Sequence, residues 1–463
     1  MDIANTPRQQ LKCSQRLRSL SARCLTSANE AGQPLFRVFI LGGLLVTALA
    51  VAQPTSGHAA CELYPLFTPL SGRTSNEAWE ADKFAASIGV NLHVGDGRYD
   101  TEFDTLVKPK VLAGGFRVVR SNVRAVNYNT EQLQALGRAG LKITLATDSQ
   151  TRMDKLVAGL KAVGPSYILS VEGLNEPESR HDCGDADSCW VQPTRDHQML
   201  LYNTVKSDPA TRPIRVLGPS LKTQNLDFSP RMLGNIDQFM EGFSIHRYLN
   251  PEQYPENRYT MSKLTALFQY GSPSKPAFLT ETGYTSAKTS EASEAVYMPR
   301  IYLYNFDHGM ALTDKYDLLD LSPDKSNVPL NRGYIRYNRS VKPAFTAVSN
   351  LASLVQDRGS RFRPGVLDYT LSGNTANVYK VLLQKRDGTY YLAFWVALPI
   401  ADTVPQAIAV NLPSSVYAAA VVKPNDGRTW QDIPITDGRI DLMVDEKVTM
   451  LRLLNTDGPP SSC

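Results

Sequence analysis

Between residues 88 and 318 the chain alternates apolar runs with amphipathic stretches eight times, and this rhythm restricts the available folds more than any other feature. The apolar runs read as buried strands near 88 to 93, 116 to 120, 141 to 147, 167 to 174, 214 to 218, 242 to 246, 277 to 281 and 311 to 318. Helical periodicity fills the intervals, as over 102–113, 130–139, 152–163, 195–207, 258–270 and 293–308. Strand, helix, strand at this regularity requires parallel pairing with crossover connections. Eight such units over this length predict an α/β fold, the (β/α)8 TIM barrel. An open doubly wound sheet also fits the alternation, but no Gly-x-Gly-x-x-Gly follows the first run, which argues against its nucleotide-binding forms.

Beyond a last helix near 342–356 the period drops to two. Short runs at 376–383, 389–395, 407–412, 418–422 and 448–454 are separated by turn signals such as Asp387-Gly388 and Asp426-Gly427. This predicts a small all-β sandwich. The expected organisation is a leader over 1–60, a catalytic barrel over 61–358 and a β-sandwich over 359–463 that braces it. Carbohydrate binding is the alternative role for the sandwich, although few aromatics punctuate its turns.

The leader has the layout of a secretory signal: Arg8, Lys12, Arg16, Arg18, Arg23 and Arg37 precede an apolar run from Val38 to Ala52, and small residues follow. That run is short for a membrane span, yet an uncleaved amino-terminal anchor fits it too. Either way the body is expected to be exported, secreted or periplasmic, with membrane contact only through this segment. The net charge of +4 belongs to the leader, and the remaining chain carries equal numbers of acids and bases. It therefore shows no overall bias towards nucleic acid. Of the six cysteines, Cys61, Cys183, Cys189 and Cys463 lie beyond the leader, an even number suited to an oxidising compartment. Of three possible pairings, Cys183 with Cys189 and Cys61 with Cys463 are favoured. Neither Cys-x-x-Cys spacing nor His-x-x-x-His is present to suggest a structural metal.

Two glutamates close apolar runs on the expected strands four and seven: Glu176 in Leu-Asn175-Glu176-Pro177 and Glu281 in Phe-Leu-Thr-Glu281-Thr-Gly. Barrels place their chemistry at the carboxyl ends of the strands. Two acids converging there are the equipment of glycoside hydrolysis. Asn-Glu-Pro alone is a weak signal, since Asn and Pro also serve as caps and turns; its placement on strand four, matched by Glu281 on strand seven, gives it weight.

With those positions the chain resembles clan A of the retaining glycoside hydrolases. The resemblance implies that Glu176 is the general acid/base and Glu281 the nucleophile, in a double displacement that needs neither cofactor nor metal. It also implies that Arg120, ending strand two, hydrogen-bonds the nucleophile. Asn175 would contact the sugar 2-hydroxyl. In Phe-Ser-Ile-His246-Arg-Tyr248, His246 would line the sugar site and Tyr248 would donate to the nucleophile. His93, at the end of strand one, joins this substrate-binding set. Many clan members end strand eight with a Trp that floors the sugar site; Thr313-Asp-Lys-Tyr316-Asp has none. Trp190, in the loop after Glu176, is the expected substitute, with ordinary loop packing as its bland alternative. Repulsion from Glu281 is expected to keep a proton on Glu176. The expected partner is a carbohydrate and the expected state a monomer. A carbohydrate-binding scaffold without turnover and a transglycosylase using the same residues are the alternatives.

Overall fold

The computed structural model describes residues 74–463, apart from 75, 180–187, 223–227, 252, 257–269 and 272–274. The leader, Cys61, Cys183 and almost all of the expected helix over 258–270 lie outside the described residues. No helix among the described residues is long and apolar enough to cross a membrane.

All eight expected strands form. They are β2 (Ile88–Asn91), β3 (Val118–Asn122), β4 (Lys142–Thr147), β5 (Ile168–Leu174), the pair β6 (Arg215–Leu217) and β7 (Ser220–Lys222), then β8 (Phe243–Tyr248), β9 (Ala277–Gly283) and β10 (Met310–Lys315). One parallel sheet runs β6-β5-β4-β3-β2-β10-β9-β8-β7. Its two ends are halves of a single stave interrupted at Gly218-Pro219. β6 pairs with β5 and β7 with β8, while an Asn175–Ser220 bridge and a Gly218 N–H to Gly242 carbonyl bond of 2.9 Å close the barrel. Proline cannot donate to a ladder, which accounts for a break at that point.

Crossover helices cover the staves where periodicity placed them, including Thr130–Arg138, Met153–Val163, Val191–Ser207, Glu291–Asp307 and Pro343–Val355. Their apolar faces meet the outward residues of the strands in one cluster that includes Phe84, Val119, Leu145, Leu160, Tyr302 and Leu351. At the amino-terminal end the barrel is plugged by Val118, Leu217, Phe278, Ala311 and Leu312. Towards the other end its interior turns polar.

The carboxyl-terminal region packs a six-stranded sheet with a three-stranded one formed by Thr370–Gly373, Gln406–Asn411 and Arg439–Val444. Alternating residues such as Leu392, Phe394, Val410 and Ile440 fill the space between them. The larger sheet also takes in β1 (Trp79–Glu80), which pairs parallel to β12 (Val378–Gln384), so chain from ahead of the barrel contributes to the sandwich. Trp395 is fully buried and donates to Glu256 at 2.7 Å, and Tyr379 donates to Asp307 at 2.8 Å. These contacts fix the sandwich against the barrel. Cys189 and Cys463 are disulfide-bonded; the partners expected for them lie outside the described residues.

Candidate active site

The carboxyl ends of the barrel strands gather Arg120, Asn175, Glu176, His246, Tyr248 and Glu281 into one cluster. Arg120 projects from β3 into the barrel and is 4% exposed. Its guanidinium donates to Glu281 Oε1 at 2.7 Å, to Asn175 Oδ1 at 2.8 Å and to Asn91 Oδ1 at 2.9 Å. On its other edge it donates to Glu172 at 2.7 Å. The second oxygen of Glu281 accepts from the Tyr248 hydroxyl at 2.5 Å. β8 and β9 slip in register between Ile245 and His246, which sets His246 directly beside Glu281.

His246 joins the two acids. Its Nδ1 is 2.9 Å from Glu176 Oε1 and 3.5 Å from Glu281 Oε2. One oxygen of Glu176 and one of Glu281 approach within 4.8 Å. Nearest oxygens this close fit the carboxyl separation of about 5–5.5 Å used for direct attack better than the roughly 6.5–9.5 Å that leaves room for an interposed water. Glu176 holds a positive φ of 42°, a conformation costly for any residue with a Cβ. Its N–H is tied to the Ser220 carbonyl at 3.1 Å, and Lys222 reaches its Oε2 at 3.0 Å.

Electrostatics here depart from the expectation for Glu176. Burial alone would raise its pKa, but the His246 hydrogen bond and charge, joined by Lys222, hold it at about 2. Burial would likewise lower His246, yet Glu281, Glu172 and Glu176 surround it and push it up to about 9. Repulsion from Glu281 therefore does not keep a proton on Glu176, because a protonated imidazole lies between the two carboxylates. Both shifts favour the proton on the histidine.

Several residues of the site carried no signal in the sequence reading. Glu172, fully buried four residues before Glu176, accepts from Arg120, from Ser244 at 2.6 Å and from Thr280 at 3.1 Å. Burial disfavours its charge, but Arg120 and His246 outweigh that and hold its pKa far below the usual carboxylate range. Asn91 donates to the Thr280 carbonyl at 2.9 Å while accepting from Arg120, locking β2 to β9 beneath the site. Asp314, buried on β10 under the same cluster, has neither oxygen hydrogen-bonded, and burial raises its pKa well above the ordinary value. A Cβ at Gly89 would stand 1.7 Å from Asp314 Oδ1, so only glycine leaves room for it.

The remaining expected binding residues are His93 and Trp190. His93 sits at the rim, 3.4 Å from Asp317, with its ring edge-on to Tyr316 at 5.3 Å. Trp190 does not line the site: it is 5% exposed and packs among Leu221, Leu233, Ile236 and Met240. An indole enclosed by aliphatic side chains gains more from burial than an exposed loop position would provide. Where a strand-eight Trp is absent, half-buried Tyr316 stands against Tyr248, their rings 6.1 Å apart and near perpendicular.

Glu176, His246 and Glu281 bring three ligand atoms of the kind a metal ion takes within 4.8 Å of one another. Those atoms already accept from, or lie against, Arg120, Tyr248 and Lys222, and the fixed charges of Arg120 and Lys222 oppose a further cation.

No family model and no curated protein matches the sequence. Solved structures do. A family 39 glycoside hydrolase from the gut symbiont Bacteroides cellulosilyticus WH2 aligns at TM-score 0.55 and 17% identity, over 81% of this chain and 83% of its own. A monomeric beta-xylosidase from Caulobacter crescentus CB15 gives 0.56 and 14%, over 82% and 98%. A glucosidase from Croceicoccus marinus gives 0.50 and 12%, over 80% and 96%. At these identities the likeness establishes the fold, a glycosidase-like barrel with a carboxyl-terminal β-domain.

Proposed function

We propose that this protein is an exported retaining glycoside hydrolase that cleaves O-glycosidic bonds of a poly- or oligosaccharide. The observation that carries the proposal is the approach of Glu176 and Glu281 to within 4.8 Å across His246, with Arg120 and Tyr248 each donating to Glu281. Glu281 attacks the anomeric carbon as the bond to the leaving oxygen breaks, and Glu176 protonates that oxygen. Glu176 then removes a proton from water, which displaces Glu281 and releases the sugar with its configuration retained.

The first step requires a proton on Glu176, and His246 is its source. Nδ1 lies 2.9 Å from Oε1, so transfer converts the imidazolium–carboxylate pair into neutral imidazole and neutral acid. A sugar that displaces water from the cleft makes the charged pair costlier and favours this exchange. Once Glu281 is esterified its charge is gone, and Glu176 can act as the base. Asn175, fixed by Arg120, is set to contact the sugar 2-hydroxyl.

The disulfides Cys183–Cys189 and Cys61–Cys463, a monomeric state and removal or retention of the leader belong to the same reading of an exported enzyme. The test is Glu281→Gln assayed against a polysaccharide panel with product sizing. Hydrolysis should fall by at least about 10³-fold while sugar affinity persists; unchanged turnover would remove Glu281 as the nucleophile.

A further inference from the structure

Among the described residues, Arg332 is a cation beside the site that the chemistry above leaves unused and that no ion pair engages. It follows Asn331, whose side chain is anchored to the Asp324 carbonyl at 2.6 Å and the Asn327 carbonyl at 2.9 Å. Its own carbonyl accepts from the Asp317 N–H at 3.2 Å and from the Lys315 ammonium. At Gly333 a Cβ would stand 2.2 Å from the Leu319 carbonyl carbon, so the backbone there is closely packed. From this fixed base the half-buried guanidinium lies over the Tyr248 ring, 4.2 Å from its centroid. Tyr248 is the residue that donates to Glu281.

The other cations around it are committed: Arg120 to Glu172 and Glu281, the His246 imidazolium and Lys222 to Glu176, and Lys315 to Glu294 at 3.1 Å. Among the described residues no carboxylate pairs with Arg332. A guanidinium carries five N–H donors in a planar fork that matches a carboxylate, and stacking on an aromatic face leaves its edge donors available. We propose that Arg332 binds the carboxylate of an acidic sugar, so that the substrate is a polysaccharide containing uronic acid. This rests on the glycosidase reading above and names the substrate class of the same site. If Arg332 served only to shield Tyr248, its loss would affect neutral and acidic sugars alike.

The test compares matched aryl uronides and aryl hexosides in both anomeric forms, together with uronic-acid and neutral oligosaccharides, using the full chain. Native protein should favour the uronide in kcat/KM by about 10- to 100-fold, the range expected of a charge-assisted pair. Arg332→Met should lower that preference by a similar factor, and Arg332→Lys should restore part of it. Circular dichroism verifies that each variant is folded. A native preference for neutral sugars, or an equal loss on both series in Arg332→Met, overturns the inference. Cleavage of neutral glycosides alone leaves the glycosidase reading intact and sinks this one. No cleavage of either series, with no binding by Glu281→Gln, sinks both.

Discussion

Replacing Glu172 with Gln should unsettle both the fold and the proton balance of the site without creating a cavity. Glu172 is fully buried, accepts from Arg120 at 2.7 Å and lies 3.8 Å from His246 Nε2. Gln keeps the volume and one acceptor for Ser244 and Thr280, but turns an amide towards cationic donors. Breaking a buried ion pair by removing one partner costs about 3–5 kcal/mol. Arg120 would retain only Glu281 as a charged partner, and His246 would lose one of the groups holding its pKa at about 9. A fall of roughly one pKa unit in His246 corresponds to about 1.4 kcal/mol. Urea unfolding at pH 7 measures the first effect, and NMR titration of the His246 ring measures the second. If Glu172→Gln unfolds within about 0.5 kcal/mol of the native protein and His246 titrates unchanged, Glu172 is not the counter-ion described here.

The raised pKa of His246 makes a signed prediction about pH. Its stabilising contribution is complete below the unfolded value of 6.5 and is lost as pH rises through about 9. Unfolding free energy should therefore drop by about 3 kcal/mol across that window, a drop that His246→Asn should largely abolish; a native curve flat from pH 6 to 9 would count against a protonated imidazole. Trp190→Ala should cost about 3–5 kcal/mol through cavity formation while KM stays within about twofold, and the opposite pattern would return Trp190 to the sugar site.

The barrel was legible because its strands are buried on both faces and its helices on one, so the two periods separate cleanly in the sequence. Glu176 and Glu281 were legible for a related reason: each ends an apolar run at the strand end where barrels expose function. Glu172 was hidden by the same logic, since a charge within Ser-Val-Glu-Gly-Leu reads as a blemish in a strand and not as the partner of an arginine two staves away. Lys222 lies on a three-residue strand just beyond Gly218-Pro219, too short to show a period. β1 contributes only Trp79 and Glu80 to the sandwich, below any pattern threshold. The charge state of Glu176 depends on His246, seventy residues away in sequence and 2.9 Å away in space. Trp190 misled because it follows a cysteine in a polar loop, although it begins a helix whose first turn packs inward.

The central claim is double displacement by Glu281 and Glu176, and the configuration of the first-formed product tests it most directly. Proton NMR of the anomeric signal, recorded during hydrolysis and before mutarotation, should show the same configuration as the substrate. An inverted first product would mean that water attacks directly, and that the 4.8 Å approach of the two carboxylates does not serve a covalent intermediate.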